Sequence, residues 1–182
     1  MKMKLTYSMS FSSMLFSALL FLSSHVSAET RDPSAYFFNE SFGNFQEELE
    51  LARDEDKKAV LIMFVMDECP YCHRMKTTVL NQSDVQDYYR ENFLIFEVDI
   101  EGDIEMVDFQ GNEVKQKDFA VLQHRVRATP VFAFFDLEGE RIARYIGATT
   151  DTDEFLQLGR FVAEGAYKDM SFNRYKRQAA TR

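Results

Sequence analysis

Both cysteines of this chain fall in one tetrapeptide, Cys69-Pro70-Tyr71-Cys72, directly behind the apolar run Val60-Leu61-Ile62-Met63-Phe64-Val65-Met66. A run that short and continuously apolar suits a strand buried on both faces. A strand feeding a helix through C-x-x-C sets one sulfur at the helix N-terminus, where unpaired N–H groups and the helix dipole stabilise a thiolate. With no third cysteine, the pair either bridges to itself or reacts with a group outside the chain. A loop of four residues restrains the unfolded chain little, so a reactive role explains the pair better than a structural one.

Residues 1–28 read as a cleavable export signal. Lys2 and Lys4 precede the apolar stretch Met14-Leu15-Phe16-Ser17-Ala18-Leu19-Leu20-Phe21-Leu22, and Val26-Ser27-Ala28 fits the small-x-small cleavage rule, with cleavage after Ala28. The stretch falls short of the roughly 20 apolar residues that span a bilayer, which argues against stable membrane insertion. Cleavage leaves 154 of the 182 residues and lowers the formal charge from −9 to −11, with 19 basic against 30 acidic residues. An acidic surface excludes nucleic acid as a natural partner. Exported proteins stapled by structural disulfides carry several spaced pairs, and this one carries a single tight pair.

The mature chain divides into an N-terminal arm (29–43), one domain (44–168) and a basic tail (169–182). The arm is polar and aromatic, with Phe37, Phe38 and Phe42 laid on the domain. Asn44 and Glu47 mark a helix start, with Phe45, Leu49 and Ala52 on one face. A helix from Cys69 to about Leu80 follows the first strand, and Ser83 is placed to cap a second piece carrying Val85, Tyr88 and Tyr89. Phe93 to Ile100 reads as the next strand. Residues 101–117 form an inserted hairpin turning at Gln110-Gly111-Asn112. A short helix then points Phe119, Leu122 and Val126 inward. Strand Val131–Phe135 opens at Thr129-Pro130, turns at Asp136-Leu137-Glu138-Gly139 into Arg141–Ile146, and Asp151 caps a last helix burying Phe155, Leu158, Phe161 and Val162. The tail, with Arg174, Lys176, Arg177 and Arg182, reads as a frayed, solvated end. The fold class is α/β: a central mixed β-sheet flanked by helices, with a right-handed parallel crossover in its first half.

Three features together resemble the thioredoxin superfamily: the strand leading into Cys69-Pro70-Tyr71-Cys72, the Thr129-Pro130 pair opening a strand some 60 residues later, and the Gly147 turn before the last helix. The likeness spans roughly residues 44–166. The export signal and the insertion resemble periplasmic thioredoxin-like proteins of the SoxW type, while the Cys-Pro-Tyr-Cys-His stretch is similar to periplasmic disulfide isomerases and glutaredoxins. Thioredoxins carry Trp before the first cysteine and a buried Asp near the pair, where this chain has Glu68 and Met63. The resemblance implies a thioredoxin fold, a cis peptide bond at Pro130 beside the cysteines, and backbone contacts from Thr129 to an extended client.

Cys69 is the candidate nucleophile and Cys72 the resolving thiol that attacks the mixed disulfide. Pro70 suits a first helical turn because it lacks an N–H to leave unpaired. Tyr71, Thr129 and Pro130 are candidate client contacts. Glu68, His73 and Glu97 are candidates for tuning the thiols: His73 as a cation favouring the thiolate, Glu68 as an anion opposing it. Glu97 would be a proton acceptor from Cys72 in place of the missing Asp, or else a salt-bridged or edge residue. The expected function is a periplasmic thiol–disulfide oxidoreductase, reductant or isomerase, acting as a monomer on disulfide or dithiol protein clients. As a reductant it would draw electrons from a membrane-embedded donor, and it implies no cofactor. Two alternatives stay open. One is a DsbA-like oxidant. The other is a metal-binding or chaperone module using Cys69, Cys72 and His73 with Met66 or Met75 for copper(I). Zinc on Cys69, Cys72 and His73 or His124 lacks the second ligand pair such sites show.

Overall fold

In the computed structural model, which describes residues 29–179 and 181, four strands lie side by side in the order β2-β1-β5-β6. β1 (Ala59–Val65) pairs parallel with β2 (Phe93–Asp99) and antiparallel with β5 (Val131–Phe135), which pairs antiparallel with β6 (Arg141–Ile146). The export signal expected at 1–28 lies outside the described residues. No helix among the described residues is long and apolar enough to cross a membrane.

The unbroken apolar run of β1 follows from burial on both faces of the sheet. Leu61 and Met63 join Phe93, Ile95, Phe132 and Phe134 on one face. Val60, Ile62 and Phe64 join Leu94, Phe96 and Phe135 on the other. This is the alternation of a strand, with oil on both sides. The first face is covered by α3 (Pro70–Thr78), α4 (Ser83–Asn92) and α6 (Thr152–Ala163). The second is covered by α2 (Phe45–Asp54) and by Phe109, Phe119 and Ala120.

The helix starts are local and legible. The Asn44 side chain accepts from the N–H groups of Gln46 and Glu47, and its Nδ2 donates to Glu47 Oε1 at 2.8 Å. The cap falls where the spacing predicts, but Glu47 reaches back to the Asn44 side chain and not to its backbone N–H, so the box is closed between side chains. Asp151 accepts from the Glu154 N–H in the same way. Ser83 departs from expectation. Gln82 is the cap residue of α4 and makes no side-chain bond there; instead Asp84 accepts from the Val85 N–H.

Residues 101–117 hold a two-stranded antiparallel hairpin, β3 (Glu105–Val107) and β4 (Glu113–Lys115). Asp108 ties its turn by accepting from the N–H groups of Gln110 and Asn112, both at 2.9 Å. Gly111 has φ +84°, a conformation that favours glycine. A short helix α5 (Gln116–Asp118) then widens into a π-helical turn over Phe119–Gln123. There the expected inward trio fails in part. Phe119 and Val126 are buried, but Leu122 is 71% exposed. A turn closed by bonds to the fifth residue, His124 N–H to Phe119 O, rotates the i+3 position off the inner face.

The two ends of the described chain are more ordered than the sequence suggests. The arm contains a short helix α1 (Pro33–Tyr36) capped by Asp32, and it places Phe37 wholly inside the core. The tail is no frayed end. Its helix α7 (Phe172–Ala179) lies on α6, with the rings of Phe172 and Tyr175 each 5.5 Å from Phe161. Tyr175 donates to Glu164 at 2.8 Å, and Lys176 pairs with Glu154. Aromatics at 172 and 175, one helical turn apart, supply the sticky face that a count of basic residues conceals.

Candidate active site

The end of β1 delivers the chain into the cysteine motif. Cys69 is the N-cap of α3, Pro70 its first helical residue, and the Cys69 Sγ accepts a hydrogen bond from the Cys72 N–H at 3.1 Å. Helix caps usually accept through oxygen, and here sulfur fills that role. The positive end of the helix dipole adds to that single contact, since Pro70 has no N–H and the His73 N–H is taken by Cys69 O. Cys69 and Cys72 are joined by a disulfide, S–S 2.05 Å, with their Cα atoms 5.2 Å apart.

The sequence places Cys69 outside and Cys72 inside. In the fold the two differ little, at 7% and 5% exposure, and both pack among core residues. Access comes through a cleft of about 340 Å³ whose wall includes Cys69, Cys72, His73, Lys76, Glu97 and Asp67. The structure therefore gathers four of the sequence candidates in one place: the cysteines, His73 and Glu97. Glu97 is ion-paired with Lys76 at 2.7 Å, on the cleft wall. The His73 side chain is exposed, while its N–H donates to Cys69 O at 3.0 Å as part of the helix.

Glu68 and Tyr71 stand outside that cleft, both exposed, Tyr71 at 63%. Thr129 and Pro130 are not among the residues lining that cleft; Pro130 directly precedes β5, the strand beside β1. Met63 pairs with Phe132 and Phe64 with Val131, so the same ladder continued sets Val65 level with Pro130 and Met66 level with Thr129. The Thr129–Pro130 peptide bond is cis, and Pro130 O accepts from the Gly147 N–H at 2.8 Å. Gly147 itself holds φ +92°. The Thr129 Oγ1 is buried and has no partner among the described residues. Met63, at the position where thioredoxins hold an acid, is fully buried and offers no proton-transfer group.

Three charged cleft residues, Asp67, Lys76 and Asp99, escape sequence reading. Lys76 lies four residues past Cys72 and seven past Cys69, the helical spacing that shares a face with both, so its place was readable in principle. Asp67 has no such signal. His124, a possible ligand by sequence, is remote in kind. It packs edge-on to Phe119 and Phe135, 4.4 and 4.9 Å between rings. Burial first, then the charges of Arg141 and Arg144, push its pKa down to about 4. Among the described residues no three His, Cys, Asp or Glu side chains converge as metal ligands.

A buried parallel–antiparallel sheet, a cysteine pair capping the helix after its central strand and an X-Pro strand beside it are one arrangement. The sequence profile of the thioredoxin-like domain family matches residues 45–163. The chain belongs to the thioredoxin-like domain family. No curated protein matches it in sequence. Among solved structures it is similar to a thioredoxin-fold protein from Helicobacter pylori, at 23% identity and TM-score 0.57, over 69% of this chain and 86% of that one. It is also similar to a putative disulphide-isomerase from Bacteroides thetaiotaomicron, at 24% identity and TM-score 0.52, over 70% and 96% of the two chains. A DsbH oxidoreductase aligns at 21% identity and TM-score 0.52, over 71% and 88%. At these identities the likeness is one of fold. A thioredoxin-like domain with its cysteines paired across a helix start is a thiol–disulfide oxidoreductase.

Proposed function

We propose that this thioredoxin-like protein works in the periplasm as a reductant or isomerase of protein disulfides, recharged by a membrane-embedded electron donor. The observation that carries the reading is the Cys72 N–H aimed at the Cys69 sulfur at 3.1 Å, on a helix N-terminus at the mouth of an open cleft. Reduced Cys69, as thiolate, attacks one sulfur of a client disulfide. A mixed disulfide forms and the client's other sulfur leaves as thiolate. Cys72, deprotonated, then attacks the Cys69 sulfur, closing the bond between the two cysteines and expelling the client's second thiolate. Two electrons pass to the client, whose two sulfurs take up protons, and the chain is left oxidised. In an isomerase cycle the client's own thiol attacks instead, and Cys69 returns to thiolate with no net electron transfer.

The periplasmic address rests on the basic, apolar and small-residue pattern of residues 1–28. The reducing direction rests on Thr before Pro130 and on the likeness to secreted reductases and isomerases. Related folds poise their cysteines between about −270 and −120 mV, depending on how strongly the reduced thiolate is stabilised. Equilibration of the purified protein with glutathione, read by thiol alkylation, decides the direction. A potential at the reducing end supports the proposal, and one near the oxidising end assigns an oxidant instead. Failure to reduce insulin disulfides with dithiothreitol as electron source would remove the general-reductant role.

A further inference from the structure

β2 is an edge strand, since the sheet ends on it. Its even-numbered residues turn their main-chain groups to β1, an alternation continued by Lys58 N–H to Asn92 O and Ile100 N–H to Val65 O. Phe93, Ile95, Glu97 and Asp99 therefore face away from the sheet. Ile95 is taken on both sides by Asn39: its N–H donates to Asn39 Oδ1 at 2.9 Å and its O accepts from the Asn39 N–H at 2.8 Å. The Asp99 N–H donates to Gln116 Oε1 at 3.3 Å. Between these two closures, the N–H and C=O of Glu97 have no partner among the described residues. One open rung is left between the two covered ones.

That rung opens into a groove of about 400 Å³ whose walls include Phe38, Phe45 and Met106, with Phe42 and Ile104 on its rim. Phe42 is fully exposed and Ile104 is 69% exposed. Two large apolar side chains held in water beside unpaired main-chain groups are the features of a strand-addition site. Glu97 also lines the cysteine cleft, so the two cavities share it as a common wall. Lys76 stands at the divide, paired to Glu97 and 5.6 Å above the Phe38 ring.

We propose that this groove docks an extended, apolar segment of the client adjoining the disulfide under attack, with one client residue bridging to the Glu97 main chain. The inference rests on the disulfide-exchange reading above and names how that site holds its client. Adjacency to the cysteine cleft, across the shared Glu97, selects the client over other occupants. So does the position of β2 beside β1, the strand that leads into the cysteines, which brings Glu97 to the wall of their cleft. Exposed Glu105 on the groove wall favours a segment that also carries Lys or Arg.

The test compares reduced wild-type protein with the double variant Phe42→Ser/Ile104→Ser on three probes. Two are short peptides with one cysteine in disulfide with glutathione, carrying Val-Phe-Lys on its N-terminal or its C-terminal side. The third is glutathione disulfide. The expected result is a loss of about tenfold in kcat/KM on one flanked peptide, carried by KM, with glutathione disulfide unchanged. N-methylation of that flank should reproduce the loss on wild type, because it removes the bridging N–H. Equal rates for variant and wild type on both peptides overturn the docking site and leave the exchange reading intact. If wild type reduces none of the three probes, the exchange reading fails first and the docking site with it. Self-association that the double variant abolishes, with peptide kinetics unaltered, assigns the groove to a second copy and also overturns the proposal.

Discussion

The amide of Cys72 donates to the sulfur of Cys69, so in the proposed cycle the residue assigned to end the exchange also holds the sulfur assigned to begin it. One turn of α3 thus couples the two chemical roles through a single 3.1 Å contact.

The first prediction follows from that division of labour. Cys72→Ser keeps the backbone donor but removes the resolving thiol, so client adducts should accumulate on Cys69 and be recovered by mass spectrometry. Cys69→Ser should trap nothing and reduce insulin no faster than the uncatalysed rate. Adducts on Cys72 instead would reverse the assignment.

Removal of the chain beyond Met170 should destabilise the domain. It strips Phe172 and Tyr175 from Phe161 and breaks the Lys176–Glu154 pair. Partial burial of two aromatic rings is worth about 2–4 kcal/mol, which urea unfolding would register as a lower midpoint. An unchanged midpoint would mean that α7 contributes nothing to stability.

Acidification should cost stability through His124. Its folded pKa of about 4 lies below its ordinary value of 6.5, because burial and then Arg141 and Arg144 oppose the cation, with Asp108 in partial opposition. The neutral form is therefore native. Above pH 6.5 both states are neutral and nothing is lost. As pH falls from 6.5 towards 4 the unfolded chain takes up the proton first, and stability drops by about 2–3 kcal/mol. The salt-bridged Glu154, held below its ordinary value, loses stability in the same acid direction. His124→Phe should flatten the share of the slope due to the imidazole, measured as urea midpoints of variant and wild type across that window.

Gly159→Ala should destabilise α6 although alanine is the better helix former by about 1 kcal/mol. A Cβ at Gly159 would lie 2.9 Å from Tyr88 Cε1 and 3.0 Å from Tyr89 Cε2 and Cζ. Tyr88 has room to swing, but Tyr89 is fully buried, stacks 4.4 Å from Phe155 and donates to its carbonyl at 2.6 Å. Overpacking against a pinned ring costs about 1–3 kcal/mol, so the net change in thermal unfolding should be a loss. A gain would show that α4 and α6 separate freely.

What the sequence discloses is what short-range chemistry decides. The run from Val60 to Met66, the Asn44 and Asp151 caps and the Gln110-Gly111-Asn112 turn each carry their cause within a few residues, and each appears as read. The parallel first pair and the antiparallel last pair follow as well, because the crossover rule and the tight turn leave few alternatives. The features missed are tertiary. Phe172 and Tyr175 bury themselves only because Phe161 is there to receive them, and Leu122 points outward only because the turn beneath it widens. At the site, the cysteine pair was plain from sequence, yet the Lys76–Glu97 pair beside it needed a helix and a distant strand brought together.

Both reactive sulfurs sit almost flush with the core, at 7% and 5% exposure. A disulfide packed inside a rigid folded partner cannot be pushed down onto them. Under the proposed exchange, natively folded targets would thus be processed no faster than they open locally on their own, while chains with loose loops would be taken directly. In the proposed role, selection between sound and faulty proteins would in this way be delegated to the targets' own breathing.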